Sequence, residues 1–262
     1  MNEIITERFG SILRVQLNRP AKKNALTSDM YSTLADLLNG AARDDSINVF
    51  ILHGAGDSFC AGNDLVEFAN YRPGQGDVRP QARLIEALID FDKPLVAAVQ
   101  GAAVGSGMTI LTHCDFVYAS ESARFIMPFI NLALVPEFGT SYSVPARIGH
   151  VRAAELIMLG LPFDARRAAE LGFVTRVVPD EKLLAAATET AQELAQKPSG
   201  ALQACKRLMK RSSREQIEQA VKIEHEEFVA RLISAEAREA ITAFLEKRRP
   251  DFTKMAGARP GA

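Results

Sequence analysis

The chain has few cysteines and histidines, and it carries almost no net charge. Its 262 residues include four histidines and three cysteines, and 31 basic against 32 acidic side chains leave a formal net charge of -1. The scattered Cys60, Cys114 and Cys205 cannot build a disulfide framework, and no His or Cys neighbours have zinc-ligand spacing. A balanced charge gives no overall field that would attract nucleic acid or an anionic membrane. The composition therefore favours a small-molecule ligand and predicts reduced, buried thiols.

Signals for targeting and for membrane insertion are also missing. Residues 1–17 contain no basic region followed by an apolar core. No apolar run reaches the roughly 18 residues that a membrane-spanning helix needs. We therefore expect a cytoplasmic protein with no membrane partner.

What is present is a pattern of strands and helices. Short runs rich in apolar and β-branched residues predict strands at residues 11–17, 48–54, 94–101 and 115–120. Residues 21–42 show helical spacing behind a cap at Thr27 or Ser28. Pro, Gly and charge at residues 71–81 predict a mobile loop before a further helix.

The last third of the chain changes to helical patterns alone. Three or four helices are predicted from about Asp180 onward, and Ser213 with Gln216 predicts a capping box for the third. Strands mixed with helices, followed by helices, predict an α/β core over residues 1–195 and a C-terminal helical region over residues 196–262.

Two glycine-rich turns each follow a predicted strand and lead into a helical stretch. They are "GDSFCAGNDL" at 56–65 and "GAAVGSGMTILTHCD" at 101–115. Glycine lets the backbone approach a ligand closely, and the N–H groups of a first helical turn lack intrahelical partners. Two such turns can aim two N–H donors at one oxygen, which is how an oxyanion hole is built. The alternative is that both are plain turns; the spacing of glycines 101, 105 and 107 does not fit a dinucleotide fingerprint.

Four segments in order make the chain similar to a known family. "NRPAKKNALT", "FCAGNDL", "DKPLVAAVQGAAVGSGMTILTHCDFVYAS" and "FLEKRRPDF" resemble the crotonase superfamily, the enoyl-CoA hydratases and isomerases, over nearly the whole chain. The resemblance implies an α/β spiral of ββα units with a C-terminal helical region that builds trimers or dimers of trimers. It also implies an acyl-CoA thioester substrate and no resident cofactor, since CoA is part of the substrate.

The same resemblance implies roles for individual residues. The thioester oxygen would lie between the backbone N–H groups of Asn63 and Ser106, where Ser replaces the usual glycine without changing the backbone donor. Contacts to the substrate are implied for Lys22, Lys23, Ala25, Ala61, Gly62, Asn63, Asp64, Leu65, Gly105, Phe244 and Lys247. For Lys22 and Lys23, which match the segment along the CoA phosphates, a solvated charge pair is an equal alternative. We also expect residues 65–81 to form a wall of the acyl pocket.

The acidic residues distinguish between reactions of this superfamily. The resemblance implies that a hydratase of this superfamily uses two catalytic glutamates. Thr109 and Phe129 occupy the two corresponding positions in this chain. Neither side chain can take a proton from water. Ordinary hydratase activity is therefore disfavoured.

Glu137 is the remaining candidate for a catalytic acid. It is the only charged residue between Arg124 and Arg147, and "PFINLALVPEFGTSYSVP" resembles the peroxisomal-type Δ3,Δ2-enoyl-CoA isomerases around their single catalytic glutamate. An apolar setting disfavours the charged form of a carboxyl and raises its pKa, commonly to roughly 6 to 7 in enzymes. Such a group both accepts and returns a proton. The alternative is that Glu137 caps a helix or lies on an exposed loop.

Other polar residues near the motifs are assigned structural positions. Asp64 could act as a base, but its place in "GNDL" favours hydrogen bonds to loop amides, and Asp115 is also expected to be structural. His113 is expected to pack against its surroundings. The chain is thus predicted to be a Δ3,Δ2-enoyl-CoA isomerase; another crotonase reaction, such as hydration or thioester hydrolysis, and a non-catalytic acyl-CoA-binding protein are the alternatives.

Overall fold

The computed structural model describes residues 2–70 and 79–253, which form two β-sheets with helices packed on them. The strands are β1 (Ile4–Phe9), β2 (Ile12–Leu17), β3 (Val49–Gly54), β4 (Leu95–Val99), β5 (Ala102–Val104), β6 (Phe116–Ser120), β7 (Arg124–Ile126), β8 (Phe163–Asp164) and β9 (Arg176–Val178). The larger sheet has the order β1-β2-β3-β4-β6-β9 and is parallel except for the β1–β2 pair. The smaller sheet has the order β5-β7-β8.

The α-helices follow the strands along the chain and fill its last third. They are α1 (Ser28–Arg43), α2 (Leu65–Asn70), α3 (Arg79–Asp90), α4 (Ser106–Thr109), α5 (Thr140–Ile148), α6 (His150–Leu159), α7 (Ala165–Glu170), α8 (Leu183–Ala195), α9 (Ser199–Lys210), α10 (Arg214–Leu232) and α11 (Ala235–Leu245). Short 3-10 turns lie at Pro20–Lys22, Ile110–His113, Phe129–Leu132 and Asp180–Lys182. No helix within the described residues is long and apolar enough to span a membrane.

Both faces of the central strands of the larger sheet are buried, which explains their continuous apolar runs. Every residue of β3 and β4 is buried. One face packs into the main core, and alternate residues on the other face pack against α8. The sheet therefore holds the ends of its strands, and the turns that follow them, on a scaffold fixed from both sides.

The four predicted strands are confirmed as β2, β3, β4 and β6. Thr27 is confirmed as the cap of α1, because its hydroxyl accepts a hydrogen bond from Met30 N at 3.2 Å. Strands β1, β5, β7, β8 and β9 were not predicted. Most are only two or three residues long, too short for an alternating pattern to emerge.

Two local predictions need correction. Ser213 precedes α10, but its hydroxyl makes no capping bond to that helix and donates instead to Lys210 O at 3.3 Å. Its φ of -116° and ψ of -9° keep the backbone near the helical region, whereas a capping residue needs an extended one. Residues 79–81, predicted as part of a loop, begin α3. Residues 71–78 of that predicted loop lie outside the described residues.

The last two helices pack on earlier elements of the same chain. Helix α10 packs on α5, and α11 packs on the 3-10 turn Phe129–Leu132 and on α2. The α/β architecture with a helical C-terminal part is therefore as predicted. The division between the two at residue 195 stays a prediction.

Candidate active site

The two glycine turns contact each other at the ends of the parallel strands. Cys60 N donates to Ala102 O, and Val104 N donates to Cys60 O, both at 2.9 Å. Gly62 has a φ of +90°, and a Cβ placed on it would lie 2.7 Å from Val104 O. Glycine is therefore required at this position, because any side chain would push the two turns apart.

Each turn presents a backbone N–H group that has no acceptor. Within residues 2–70 and 79–253, the N–H groups of Asn63 and Ser106 make no hydrogen bond to the protein, although their neighbours Asp64 N and Gly105 N do. Ser106 is the first residue of α4, so its N–H has no intrahelical partner. These are the two donors that the sequence predicted for an oxyanion hole.

Glu137 lies beside the second turn and is 5% exposed. Its Oε1 accepts a hydrogen bond from Ser106 Oγ at 2.6 Å, and its Oε2 accepts one from Gln81 Nε2 at 2.6 Å. The alternative placements, a helix cap or an exposed loop, are therefore wrong. The carboxylate reaches the same residue whose backbone N–H is free.

Burial raises the pKa of Glu137 to about 7. The hydrogen bonds from Ser106 and Gln81 lower this pKa, and the nearby charge of Glu224 raises it. Desolvation is the largest of these effects, as expected for a carboxyl group shut away from water. A carboxyl with this pKa exists in both protonation states near neutral pH.

A buried tyrosine connects the two turns through their side chains. Tyr31 of α1 is 4% exposed, and its hydroxyl hydrogen bonds to Asn63 Oδ1 and lies 2.7 Å from Ser106 Oγ. Burial and the nearby Glu137 raise the pKa of Tyr31 well above its usual value. The tyrosine therefore keeps its proton while Glu137 titrates.

The backbone turn that carries Glu137 is held by a second buried acid. Phe138 and Gly139 both have positive φ, 63° and 72°. Glu224 of α10 accepts hydrogen bonds from Gly139 N and Ser141 N, both at 2.6 Å, across the start of α5. A helix of the C-terminal part thus fixes the turn that aims the catalytic candidate.

Two cavities border the candidate site. The first cavity, of about 480 Å³, is mainly apolar and includes Asn63 and Gly105 in its lining. The second cavity, of about 470 Å³, includes Gln81 and Glu137. Phe228 of α10 lines both. Asn63, and Gly105 next to Ser106, therefore lie at one cavity and the carboxyl of Glu137 lies at the other, and Phe228 borders both.

About half of the predicted substrate contacts line the first cavity. These are Ala61, Gly62, Asn63, Leu65, Gly105 and Phe244. Lys22, Lys23 and Lys247 are exposed outside that lining, and Lys23 and Lys247 have positive φ. Lys23 O accepts a hydrogen bond from Ala61 N at 2.9 Å, so the lysine pair lies next to the first turn. Ala25 is half-buried in the same segment.

The remaining polar candidates have structural partners. Asp64 pairs with Arg19 Nη2 at 3.1 Å and accepts from Val66 N, as the predicted loop role requires. Asp115 accepts from Leu95 N and Lys206 Nζ. His113 Nε2 lies 2.9 Å from Phe138 O, and burial lowers the pKa of His113 to about 4. Among the described residues, no three His, Cys, Asp or Glu side chains are grouped as metal ligands.

Sequence reasoning missed Tyr31, Gln81 and Glu224. Each is a polar residue within the apolar face of a helix. Tyr31 lies on the buried face of α1, and Glu224 lies between the buried Ala220 and Phe228 of α10. Gln81 lies one helical turn before the buried Ile85. A polar side chain at an apolar position of the helical period was the signal available for all three.

The chain is similar to known proteins over nearly its whole length. The family model described as enoyl-CoA hydratase/isomerase matches residues 7–255. The 2,3-dehydroadipyl-CoA hydratase of Escherichia coli is 35% identical over 96% of this chain and 99% of that protein. The enoyl-CoA delta isomerase 2 of Rattus norvegicus is 33% identical over 94% of this chain and 64% of that protein.

The fold is shared with solved structures. The crystal structure of an enoyl-CoA hydratase/isomerase from Pseudoalteromonas atlantica T6c superposes with a TM-score of 0.91 at 38% identity, over 96% of this chain and 100% of that chain. Its agreement extends over the α/β core and the C-terminal helices alike. The chain therefore belongs to the enoyl-CoA hydratase/isomerase family of the crotonase superfamily.

Proposed function

We propose that this chain is a Δ3,Δ2-enoyl-CoA isomerase of fatty-acid β-oxidation, which moves the double bond of a 3-enoyl-CoA to the 2-position. The observation that carries the proposal is the buried carboxyl of Glu137, with a pKa of about 7, hydrogen bonded to Ser106 beside two backbone N–H groups that have no acceptor among the described residues. The name of the delta isomerase relative supports the same assignment.

In this proposal, the thioester lies in the first cavity and its acyl chain passes Phe228 toward Glu137. The ionised carboxyl of Glu137 removes a proton from C2, and the electron pair of that C–H bond moves into the thioester carbonyl. The resulting dienolate oxygen accepts hydrogen bonds from Asn63 N–H and Ser106 N–H. One such donor typically supplies roughly 2.7 to 4 kcal/mol of transition-state stabilisation.

The second half of the reaction returns the same proton. The protonated Glu137 donates it to C4, the C2–C3 double bond forms, and the thioester carbonyl is restored. One carboxyl can serve both carbons because they lie two bonds apart along the acyl chain. A pKa near the working pH suits a group that must act as base and then as acid.

The residues at the two hydratase positions support isomerisation over hydration. Thr109 is fully buried, and its hydroxyl lies 3.4 Å from Ser106 O. Phe129 is 4% exposed and lines the first cavity. Neither can activate a water molecule, and the lining of the first cavity contains no carboxylate among the described residues.

The test is to incubate the purified protein with a 3-enoyl-CoA and, separately, with a 2-enoyl-CoA. Ultraviolet absorbance of the conjugated thioester and product mass are followed. Isomerisation predicts a 2-enoyl-CoA of unchanged mass from the first substrate and no reaction with water from the second. Formation of a 3-hydroxyacyl-CoA, which is heavier by one water, or release of free CoA would contradict the proposal. Binding of both thioesters without any product would favour a non-catalytic protein.

A further inference from the structure

The proposed isomerase needs a carboxyl that keeps a hydrogen-bond partner both with and without its proton, and this inference rests on that function. We propose that the hydroxyls of Tyr31 and Ser106 form a reversible hydrogen-bond relay to Glu137, and that both are positioning residues which serve its two protonation states.

The relay is a chain of four polar groups. It runs from Asn63 Oδ1 through Tyr31 Oη and Ser106 Oγ to Glu137 Oε1. Tyr31 is 4% exposed and Ser106 is fully buried, and the Tyr31 hydroxyl also interacts with the side chain of Gln81. Gln81 donates to Oε2 of the same carboxyl, and the side chain of Asn63 also interacts with Glu137, so two amides flank the relay.

The direction of the hydrogen bonds in the relay depends on the protonation state of Glu137. When Glu137 is ionised, Ser106 donates to the carboxylate and Tyr31 donates to Asn63 or to Ser106. When Glu137 is protonated on Oε1, it donates to Ser106, Ser106 donates to Tyr31, and Tyr31 donates to Asn63 Oδ1. A hydroxyl both donates and accepts, so each turns about its C–O bond while the heavy atoms stay in place. The relay therefore reverses its hydrogen bonds when Glu137 gains or loses its proton, and it does not transfer that proton elsewhere.

The kinds of groups in the relay decide whether it can bind both protonation states of Glu137. A backbone N–H or ammonium donor in place of the Ser106 hydroxyl would stabilise the ionised carboxylate alone, because neither can accept from the protonated form. Two hydroxyls in series, ending on an acceptor oxygen, serve both forms. Tyr31 also contacts the side chains of both residues that offer a free backbone N–H, so it holds the two glycine turns in register.

Three other titratable groups face Glu137 from separate elements. Tyr31 faces it from α1, Cys60 from the segment after β3, and Glu224 from α10. Burial raises the pKa of Tyr31 well above its usual value and that of Cys60 to about 12, so both stay protonated near neutral pH. Burial also raises the pKa of Glu224, which lies beyond the relay on two backbone N–H groups.

The test compares Ser106→Ala, Tyr31→Phe and the double variant by the pH dependence of kcat/KM for 3-enoyl-CoA isomerisation. Each single variant should lower kcat by about ten- to hundredfold, the range for a hydrogen bond to a charged group, with KM nearly unchanged. The acidic limb of the pH profile of kcat/KM, which reports the ionisation of Glu137, should move to higher pH in Ser106→Ala. The reason is that the ionised carboxylate loses a hydrogen-bond donor. Tyr31→Phe should cost less than about twofold when added to Ser106→Ala, since Tyr31 acts through Ser106.

Matched controls separate a relay from general packing. Tyr118 and Ser120 of β6 are also buried and hydrogen bonded, Tyr118 to Thr190 and Ser120 to Ser122. Tyr118→Phe and Ser120→Ala should change the melting temperature and leave the acidic limb in place. An unmoved limb in Ser106→Ala, or fully additive losses in the double variant, would overturn the relay.

The relay and the proposed function fail in different ways. A wild-type protein that does not isomerise a 3-enoyl-CoA refutes the function alone. In that case, an infrared titration of the free protein still measures the carboxyl of Glu137, with Glu137→Gln to assign its band. A midpoint that rises in Ser106→Ala, and does not rise in Ser120→Ala, supports the relay; an unchanged midpoint refutes it.

Discussion

At the scale of single residues, the site depends on one carboxyl held away from water. Glu137 is buried, and desolvation is the main cause of its pKa of about 7. Its two hydrogen-bond donors, Ser106 and Gln81, offset part of this cost without neutralising the charge. The chain therefore keeps a destabilising residue at the position where the proposed chemistry needs it.

The unfavourable burial of the ionised Glu137 carboxyl predicts that Glu137→Gln stabilises the protein at alkaline pH. The pKa of Glu137 is raised in the folded state from 4.5 to about 7, so its ionisation lowers the free energy of unfolding as pH rises between these values. The penalty is absent below about pH 4.5 and complete above about pH 7, where it reaches about 3 kcal/mol. Urea unfolding of both proteins at pH 5 and pH 8 should show the stability difference shifting toward the variant at pH 8. A difference that stays the same at both pH values would contradict the buried, ionisable carboxyl.

At the scale of elements, helix α10 is bonded directly to the turn that carries Glu137. Glu224 spans from α10 to two backbone N–H groups at the start of α5, and the turn between includes the positive φ angles of Phe138 and Gly139. A Cβ on Gly139 would lie 2.8 Å from the side chain of Ile217, which also belongs to α10. The position of Glu137 is therefore set by a helix more than 70 residues away in sequence.

We expect Glu224→Ala to weaken both stability and activity. The change leaves two backbone N–H groups without their acceptor and opens space in the core, which should cost about 2 to 4 kcal/mol of unfolding free energy. Because the turn is then free to shift, kcat should fall more than KM changes. Glu227→Ala is the control: Glu227 is exposed on the same helix and pairs with Arg231, a contact worth less than about 1 kcal/mol. Equal effects of the two substitutions in denaturant unfolding and kinetics would show that Glu224 does not anchor the turn.

The same elements show what the sequence could and could not predict. Strands β3 and β4 were predictable because they are buried on both faces and appear as unbroken apolar runs. The predicted capping box at Ser213 was wrong because capping depends on an extended backbone that residue types alone do not determine. Glu137 was predictable as a lone acid in an apolar segment. Gln81 and Glu224 were not assigned, since their roles come from contacts between helices distant in sequence.

At the scale of the whole molecule, the α/β core and the C-terminal helices of one chain together build the site. The α/β core supplies the glycine turns and Glu137, while α10 and α11 supply Phe228 and Phe244 to the cavities. Some surface remains apolar: Val151, Met158, Leu159 and Leu161, around α6, are 56% to 81% exposed. A group of exposed apolar side chains is typical of an association surface.

The predicted trimer or dimer of trimers can be measured directly. Light scattering coupled to size exclusion should give about 86 kDa, three times the chain mass of 28.5 kDa, or about 171 kDa, six times that mass. Burial of exposed apolar surface is the physical reason to expect association. A mass of one chain across micromolar concentrations would contradict this prediction and leave the single-chain site intact.

The measurement that tests the central claim most directly is turnover by Glu137→Gln beside its affinity for substrate. Glutamine keeps the size of the side chain and removes the group that carries the proton. The isomerase proposal predicts a loss of kcat on 3-enoyl-CoA of about 10²- to 10⁴-fold, the range for a general acid–base residue, with the Kd for a saturated acyl-CoA changed less than about threefold. Retention of more than about a tenth of wild-type kcat would show that another group carries the proton, and the role of Glu137 would be refuted.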